Sequence, residues 1–472
     1  MNRIALACCL VACTPTPERN PPTDHTDDTH DTDDSTPITD TGTPVLPTDT
    51  DDTTPPPTPA VVFNGTAPRN ILMVSIDTFR MDHMARYGGP GVTPFLDELA
   101  ADGVALDNHA SCSNWTFAAF TCTMLGRGNI DNGFMPKFNA NFRMPVPDGT
   151  EFLSTWLGQA GYYSILVSTN SFVGGDQNND QGYDLSVRNE DGDTTLLFED
   201  GVTRLEAAIV GGADRWFLHL HAMQPHAPYR PAPEYLADLD ALDPIPWDIS
   251  TFVGHLAAVD EMESHGPDMV DLVMEHMRIR YRGELNDFDD RLRTAFDDLD
   301  SRGLLDDTLV VFWSDHGEAF NEHEHTSHAW TLHGPENDAI AFFWAKDIVP
   351  AAWAGPTTSK DIVPTILETQ GIAIPPAVTG LPAGLAAADR SIFSFTIGRD
   401  GASQAVRQDG WKLIFNWRNE LETYHIDADP QELTDLFDPA HPESLTLWNE
   451  LRPRVEAAEP LAPEVVVTWP AL

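Results

Sequence analysis

Residues 71–76 (Ile-Leu-Met-Val-Ser-Ile) form a nearly unbroken apolar run that stops at Asp77, the pattern of a strand buried on both faces. Tyr163–Val167, Arg215–Leu220 and Thr308–Trp313 repeat it. Between them the apolar period changes. Pro94–Asp102 predicts a helix ended by Gly103, and a long helix is expected over Pro267–Leu299. Thr150 reads as a helix cap ahead of Phe152, Leu153, Trp156 and Leu157, with Gly161 as the stop. Strands alternating with helices predict an α/β fold, a large mostly parallel sheet sandwiched by helices. After about Leu385 the pieces shorten to Ser391–Thr396, Gln404–Arg407, Trp411–Trp417 and Thr423–Ile426, followed by a helix over Pro442–Val455. These predict a small C-terminal antiparallel α+β lobe. No internal repeat is visible.

The front of the chain follows other rules. Met1-Asn2-Arg3, the apolar run Ile4–Ala12 and Cys13 have the order of a secretory signal. Leu10-Val11-Ala12-Cys13 resembles the lipobox of bacterial lipoproteins, which implies lipidation of Cys13. Residues 14–60 are almost all Thr, Asp and Pro, with eleven acids and one base, and cannot bury apolar surface. The expected organisation is a signal at 1–13, a disordered linker at 14–66, a main domain at 67–385 and a C-terminal lobe of the same domain at 386–472. Thr14 follows Cys13 where an inner-membrane retention signal would have aspartate, so the expected location is the bacterial cell envelope, at the outer membrane or cell surface.

Charge narrows the function. The 472 residues carry 27 Lys+Arg against 74 Asp+Glu, a formal charge of −47. That excludes a nucleic-acid binder driven by phosphate neutralisation. No apolar run reaches the ~18–20 residues of a membrane span, so membrane contact is expected only through the N-terminal lipid. Five cysteines exclude a disulfide scaffold or zinc-finger array. An anion site in such a chain must be made locally, by a metal or a helix end.

Ligands of open α/β sheets bind beyond the carboxyl ends of strands. Two apolar strands end in acids, at Asp77 and at Asp315-His316, and these three side chains are candidate ligands of one divalent cation (Ca, Mg, Mn or Zn). Thr116 opens a helix predicted to run to Leu125 and stop at Gly126. Alone it reads as an ordinary cap, but beside a metal its hydroxyl becomes a candidate nucleophile and a further ligand. His219, His221 and His226 follow one strand, and His323, His325 and His328 follow Asp315-His316, offering proton donors or ligands. Cys112 and Cys122 flank Thr116 as either a disulfide or two buried thiols.

In order along the chain, these strings resemble the sulfatase family of the alkaline-phosphatase superfamily. The resemblance is carried by 69–80 (Arg-Asn-Ile-Leu-Met-Val-Ser-Ile-Asp-Thr-Phe-Arg), 93–99, Gln224-Pro225-His226-Ala227-Pro228-Tyr229, Ser314-Asp315-His316-Gly317-Glu318, 361–367 and Gly410-Trp411-Lys412-Leu413. Family members acting on sulfate carry a cysteine that is oxidised to formylglycine. Counting ten back from Gly126 in that register gives Thr116, and neither Cys112 nor Cys122 fits the modification signature, so no formylglycine is expected. The chain is similar to the threonine branch, with Ala118-Ala119-Phe120 in place of its Pro-Ser-His.

The resemblance implies a metal held by Asp77, Asp315, His316 and Thr116. It further implies attack by Thr116 on a sulfate, phosphate or phosphonate ester, protonation of the leaving group by His226 or His328, and contacts from Arg80 and Asn108 to the anionic ester. Two other readings stay open: a surface-binding lipoprotein that keeps the fold without catalysis, and an envelope phospho-group transferase.

Overall fold

The computed structural model describes residues 58–131, 136–138, 145–189, 192–387 and 389–458. The signal, Cys13 and the linker as far as residue 57 lie outside the described residues. The linker was expected to reach residue 66. Instead Val61 is buried, Phe63 bridges Ile348, and Ala60 N–H donates to Ala383 O at 2.9 Å. Val61 and Phe63 supply the apolar surface that the Thr/Asp/Pro run lacks.

The main-sheet strands are β1 (Asn70–Ile76), β2 (Val104–Ala110), β3 (Tyr163–Ser168), β4 (Leu185–Arg188), β5 (Trp216–Ala222) and β6 (Thr308–Ser314). After a short hairpin of β7 (Ala319–Phe320) and β8 (Thr326–Ser327), β9 (Ala341–Trp344) and β10 (Ala351–Thr358) rejoin that sheet. Its order is β10-β2-β9-β6-β1-β5-β3-β4, parallel except for β9. The helices are α1 (Pro94–Ala101), α2 (Thr116–Leu125), α3 (Leu153–Gln159), α4 (Thr194–Val210), α5 (Phe252–Glu261), α6 (Pro267–Ser301), α7 (Gly334–Asn337), α8 (Ile362–Thr369) and α9 (Pro442–Ala458).

The period of two along each strand assigns the faces. Leu72, Val74 and Ile76 of β1 and Leu218 and Leu220 of β5 pack with α1, α4 and α6, in a core that includes Met277, Tyr281 and Phe288. Ile71, Met73 and Phe217 face the other way, toward α2, α3 and α8. The expected sheet sandwiched by helices is therefore present. So is the C-terminal lobe: β11 (Ile392–Ile397), β12 (Ala402–Gln408), β13 (Trp411–Phe415) and β14 (Leu421–His425) form an antiparallel sheet covered by α9.

One local expectation changes and one open alternative closes. Thr150 does not cap α3: its hydroxyl donates to Pro147 O at 2.6 Å, and the helix starts after Phe152. A turn within the same loop takes the hydroxyl first. Cys112 and Cys122 are joined as a disulfide across the start of α2.

Candidate active site

β1 and β6 run side by side with Ile76 opposite Ser314, so the next residues, Asp77 and Asp315, emerge together at the carboxyl edge. Backbone bonds fix the exits: Asp77 N–H donates to Ala222 O at 3.0 Å, and Asp315 N–H to Ile76 O at 3.3 Å. Thr78 turns the chain at φ +55°, and its N–H donates to Asp315 Oδ1 at 3.1 Å. His316 N–H donates to the same oxygen at 2.8 Å. A β-branched residue at positive φ is strained, and here the turn directs its N–H at the carboxylate.

One ligand atom from each of Asp77, Asp315 and His316 lies within 4.8 Å of the others, and all three side chains are fully buried. Burial and the neighbouring Asp315 carboxylate push the Asp77 carboxyl well up, and burial pushes Asp315 up to about 7. Asp77 Oδ1 and Asp315 Oδ2 have no hydrogen-bond partner among the described residues. Leaving buried carboxylates unpaired costs several kcal/mol per ion. A divalent cation would satisfy both orphaned oxygens, and two oxygens with one imidazole suit Mg, Mn or Zn as donors. The residues present fit the cation.

The hydroxyl arrives from the other side. α2 begins at Thr116, where the first N–H groups of the helix are free of intrahelical partners. Thr116 Oγ1 is 3.4 Å from Asp77 Oδ2 and 3.4 Å from His316 Nε2. All ten residues of α2 are buried, so the hydroxyl is held by packing rather than by a mobile loop.

His316, His328 and His226 form a row, with ring centroids 4.5 Å apart for the first pair and 5.2 Å for the second. Glu318 Oε1 holds His328 Nδ1 at 3.0 Å, and Tyr229 O–H donates to the other Glu318 oxygen at 3.1 Å. Burial lowers all three imidazoles, His316 to about 4. His323 and His325 stand elsewhere, stacked on His333 and Trp330.

The structure does not bring Arg80 or Asn108 into the cluster. Arg80 is buried, with Nη2 on Asp82 Oδ2 at 2.7 Å, Nη1 on Glu322 Oε1 at 2.8 Å and a further bond to Glu318 O. In so acidic a chain its guanidinium is already neutralised by two carboxylates. Asn108 sits on β2 opposite Pro356, and β9 and β6 separate that strand from β1.

Sequence reasoning missed Asn170, which follows β3 and donates its side-chain N–H to Asp77 Oδ2. It also gave no role to Glu318 or to Ser75. Phe120, at the departure from the family string, stacks flat on His219 at 5.5 Å and meets His221 edge-on at 6.0 Å. That position has become part of the packing around the strand histidines.

Fold and site together define a class: an α/β protein whose main sheet, at its carboxyl edge, pairs a candidate cation site with a helix-borne hydroxyl. The Sulfatase family profile matches residues 69–372, and the chain belongs to that family.

Among curated relatives, it is 22% identical to a choline-sulfatase of Rhizobium meliloti (strain 1021) over 274 residues, 50% of each chain. It is 23% identical to an arylsulfatase of Clostridium perfringens (strain 13 / Type A) over 47% of this chain and 49% of that one. The chain thus spans about half the length of these two. An N-acetylglucosamine-6-O-sulfatase of Bacteroides thetaiotaomicron is 21% identical over 79% of this chain and 83% of its own.

Among solved structures, the phosphonate monoester hydrolase of Silicibacter pomeroyi superposes with a TM-score of 0.63 at 20% identity, covering 84% of this chain and 96% of that one. A structure solved with its substrate, D-glucosamine-2-N,6-O-disulfate, gives 0.63 at 18% identity, over 85% and 99%.

Proposed function

We propose that this protein hydrolyses an anionic sulfate, phosphate or phosphonate ester through a covalent intermediate on Thr116. The observation that carries the reading is the meeting of the Thr116 hydroxyl with Asp77 and His316 at 3.4 Å, at a helix N-terminus and beside two unpaired carboxylate oxygens. Asp77, Asp315 and His316 would hold the cation. When bound, it supplies Lewis-acid polarisation of the ester and lowers the pKa of the hydroxyl.

Thr116 Oγ1 forms the new bond to sulfur or phosphorus as the ester bond breaks. Its proton leaves toward Asp77 Oδ2, which it already faces. His328, with Nδ1 tied to Glu318, or its neighbour His226, protonated when the anionic ester binds beside it, gives that proton to the departing alkoxide and takes one back from the water that attacks next. Water then cleaves the covalent enzyme and restores the hydroxyl. A threonine sulfate has no elimination route, whereas a phosphothreonine is open to in-line hydrolysis, so the chemistry leans toward phosphorus esters.

The test is a panel of aryl sulfate, phosphate, phosphodiester and phosphonate esters, with and without a chelator. At least one should turn over, chelator should stop it, and Thr116→Ala should abolish turnover while cation still binds. Normal hydrolysis by that variant would remove Thr116 as nucleophile. Product transfer to an added alcohol in preference to water would make the protein a transferase.

A further inference from the structure

A second set of buried polar groups lies behind the cation ligands and takes no part in the steps above. Ser75 of β1 is opposite His221 of β5, and His219 is two residues earlier on the same face. Ser75 Oγ is 2.9 Å from His219 Nε2 and 2.8 Å from His221 Nδ1, and Tyr183 O–H is 2.8 Å from His219 Nδ1. Ser75, His219 and His221 have no exposed surface. His221 Nε2 is buried, has no hydrogen-bond partner among the described residues, and lies 4.0 Å from Asp77 Oδ2. That is too long for a hydrogen bond.

The chain of bonds has a direction. Burial keeps the His219 ring neutral and the Tyr183 phenol protonated, and the His221 ring carries at least one N–H. If Tyr183 donates to His219 Nδ1, then His219 Nε2–H donates to Ser75 and Ser75 donates to His221 Nδ1. The remaining hydrogen then sits on His221 Nε2 and faces the carboxylates. The reverse order would turn an imidazole lone pair toward the Asp77 carboxylate and leave the phenol hydrogen unused. Phe120 lies flat on His219 and closes the set off from water.

Resting on the proposed ester hydrolysis, we propose that His221 is a further substrate-contacting residue. Its Nε2–H donates to a peripheral oxygen of the sulfuryl or phosphoryl group when that group is at Thr116. Tyr183, His219 and Ser75 are positioning residues that fix the donor tautomer. Thr116 Oγ1 and His221 Nε2 both approach Asp77 Oδ2, at 3.4 and 4.0 Å, so an anion carried by the hydroxyl comes within reach of the ring. Neutral donors preorganised at a developing oxyanion need no reorganisation.

The test reads anion binding rather than turnover. Cation-loaded protein is titrated calorimetrically with inorganic sulfate and with inorganic phosphate. His221→Leu should bind about 10- to 100-fold more weakly, the worth of one hydrogen bond to a charged group. His221→Gln, whose amide nitrogen replaces Nε2, should recover most of that loss, and cation affinity should be unchanged in both. Tyr183→Phe should weaken the anion and shift the His221 ¹⁵N signals from a single Nε2–H tautomer to a mixture.

The proposal is overturned if His221→Leu binds anion like the wild type, if it loses the cation together with the anion, or if the wild type binds neither anion. Should His221→Leu not fold, Tyr183→Phe decides alone, and unchanged tautomer and affinity overturn the proposal. An absence of ester turnover in the wild type counts against the hydrolase reading and leaves this titration readable.

Discussion

Asn170→Asp tests the electrostatics of the site with one isosteric change. Asn170 is 2% exposed, and its amide N–H donates to Asp77 Oδ2. The substitution replaces a donor with a third carboxylate against a pair that already lacks partners. Two unit charges about 3 Å apart at an effective dielectric of about 20 repel by roughly 5 kcal/mol. The protein has a cheaper way out: protonating one carboxyl at pH 7 costs about 4 kcal/mol from a reference pKa of about 3.9. The introduced carboxyl, once protonated, donates to Asp77 much as the amide did.

The penalty is therefore at most about 4 kcal/mol at pH 7, and smaller where the Asp77 carboxyl, pushed well up by burial, already holds the proton. The raised folded-state pKa means that stability is recovered as pH falls, by about 1.4 kcal/mol per unit, to a deficit of about 1.5 kcal/mol at pH 5. Saturating divalent cation should shrink the gap, because it balances the added charge. Urea unfolding of chelator-treated wild type and variant at pH 5, 6 and 7, repeated with Mg, Mn or Zn, reads all of this. A gap independent of pH, or equal with and without cation, would refute the picture of a dry, charge-starved carboxylate pair.

Other perturbations probe separate parts. Glu318→Gln keeps the shape but puts a donor opposite His328 Nδ1, so the ring loses its fixed tautomer; kcat should fall about 100-fold with KM and cation content little changed, measured by steady-state kinetics and metal analysis. Lys412→Met strands Glu432, its buried partner at 2.6 Å, and should cost about 3–5 kcal/mol in urea unfolding, much of it recovered by adding Glu432→Gln. Asp289 accepts from Phe95 and Leu96 N–H at the start of α1, yet burial pushes its carboxyl up to about 6. Its folded pKa lies above the unfolded value, so wild-type stability should drop as pH rises from about 4 through 6, and Asp289→Asn should flatten that window in pH-dependent melts.

What the sequence revealed follows from what burial writes into it. β1, β5 and β6 are hidden on both faces, so they read as apolar runs, and the acids that end β1 and β6 stand out. β2 is Val-Ala-Leu-Asp-Asn-His-Ala and β10 is Ala-Ala-Trp-Ala-Gly-Pro-Thr-Thr, too mixed to mark a strand, and both form only because neighbours pair with them. The site divides in the same way. Asp77 is legible because it ends β1, and Asp315 and His316 because together they end β6. Asn170 and Ser75 acquire meaning only from the lateral order β6-β1-β5-β3, which no local pattern encodes, and the same order singles out His221 among the candidate histidines of its segment. Arg80 shows the converse: its position in the string suggested an anion contact, and long-range pairing with Glu322 neutralises it.

The charge balance also bears on which ester the proposed chemistry would take. An excess of acids repels anions at long range, but exposed charges are screened beyond about 8 Å at physiological ionic strength, so the pocket's own inventory decides. There, Asp77 and Asp315 together offset one divalent cation. The groups left to meet the ester are the neutral Thr116 hydroxyl, the free N–H groups at the start of α2 and the imidazoles, one of which carries the proton for the leaving group as an imidazolium. Arg80 is already paired with Asp82 and Glu322, so the positive charge that the proposed chemistry itself brings to the ester is that one imidazolium. A monoanionic ester, whether sulfate monoester, phosphodiester or phosphonate monoester, matches that inventory. A phosphate monoester dianion would enter with one charge uncompensated, in a site where burial magnifies the deficit.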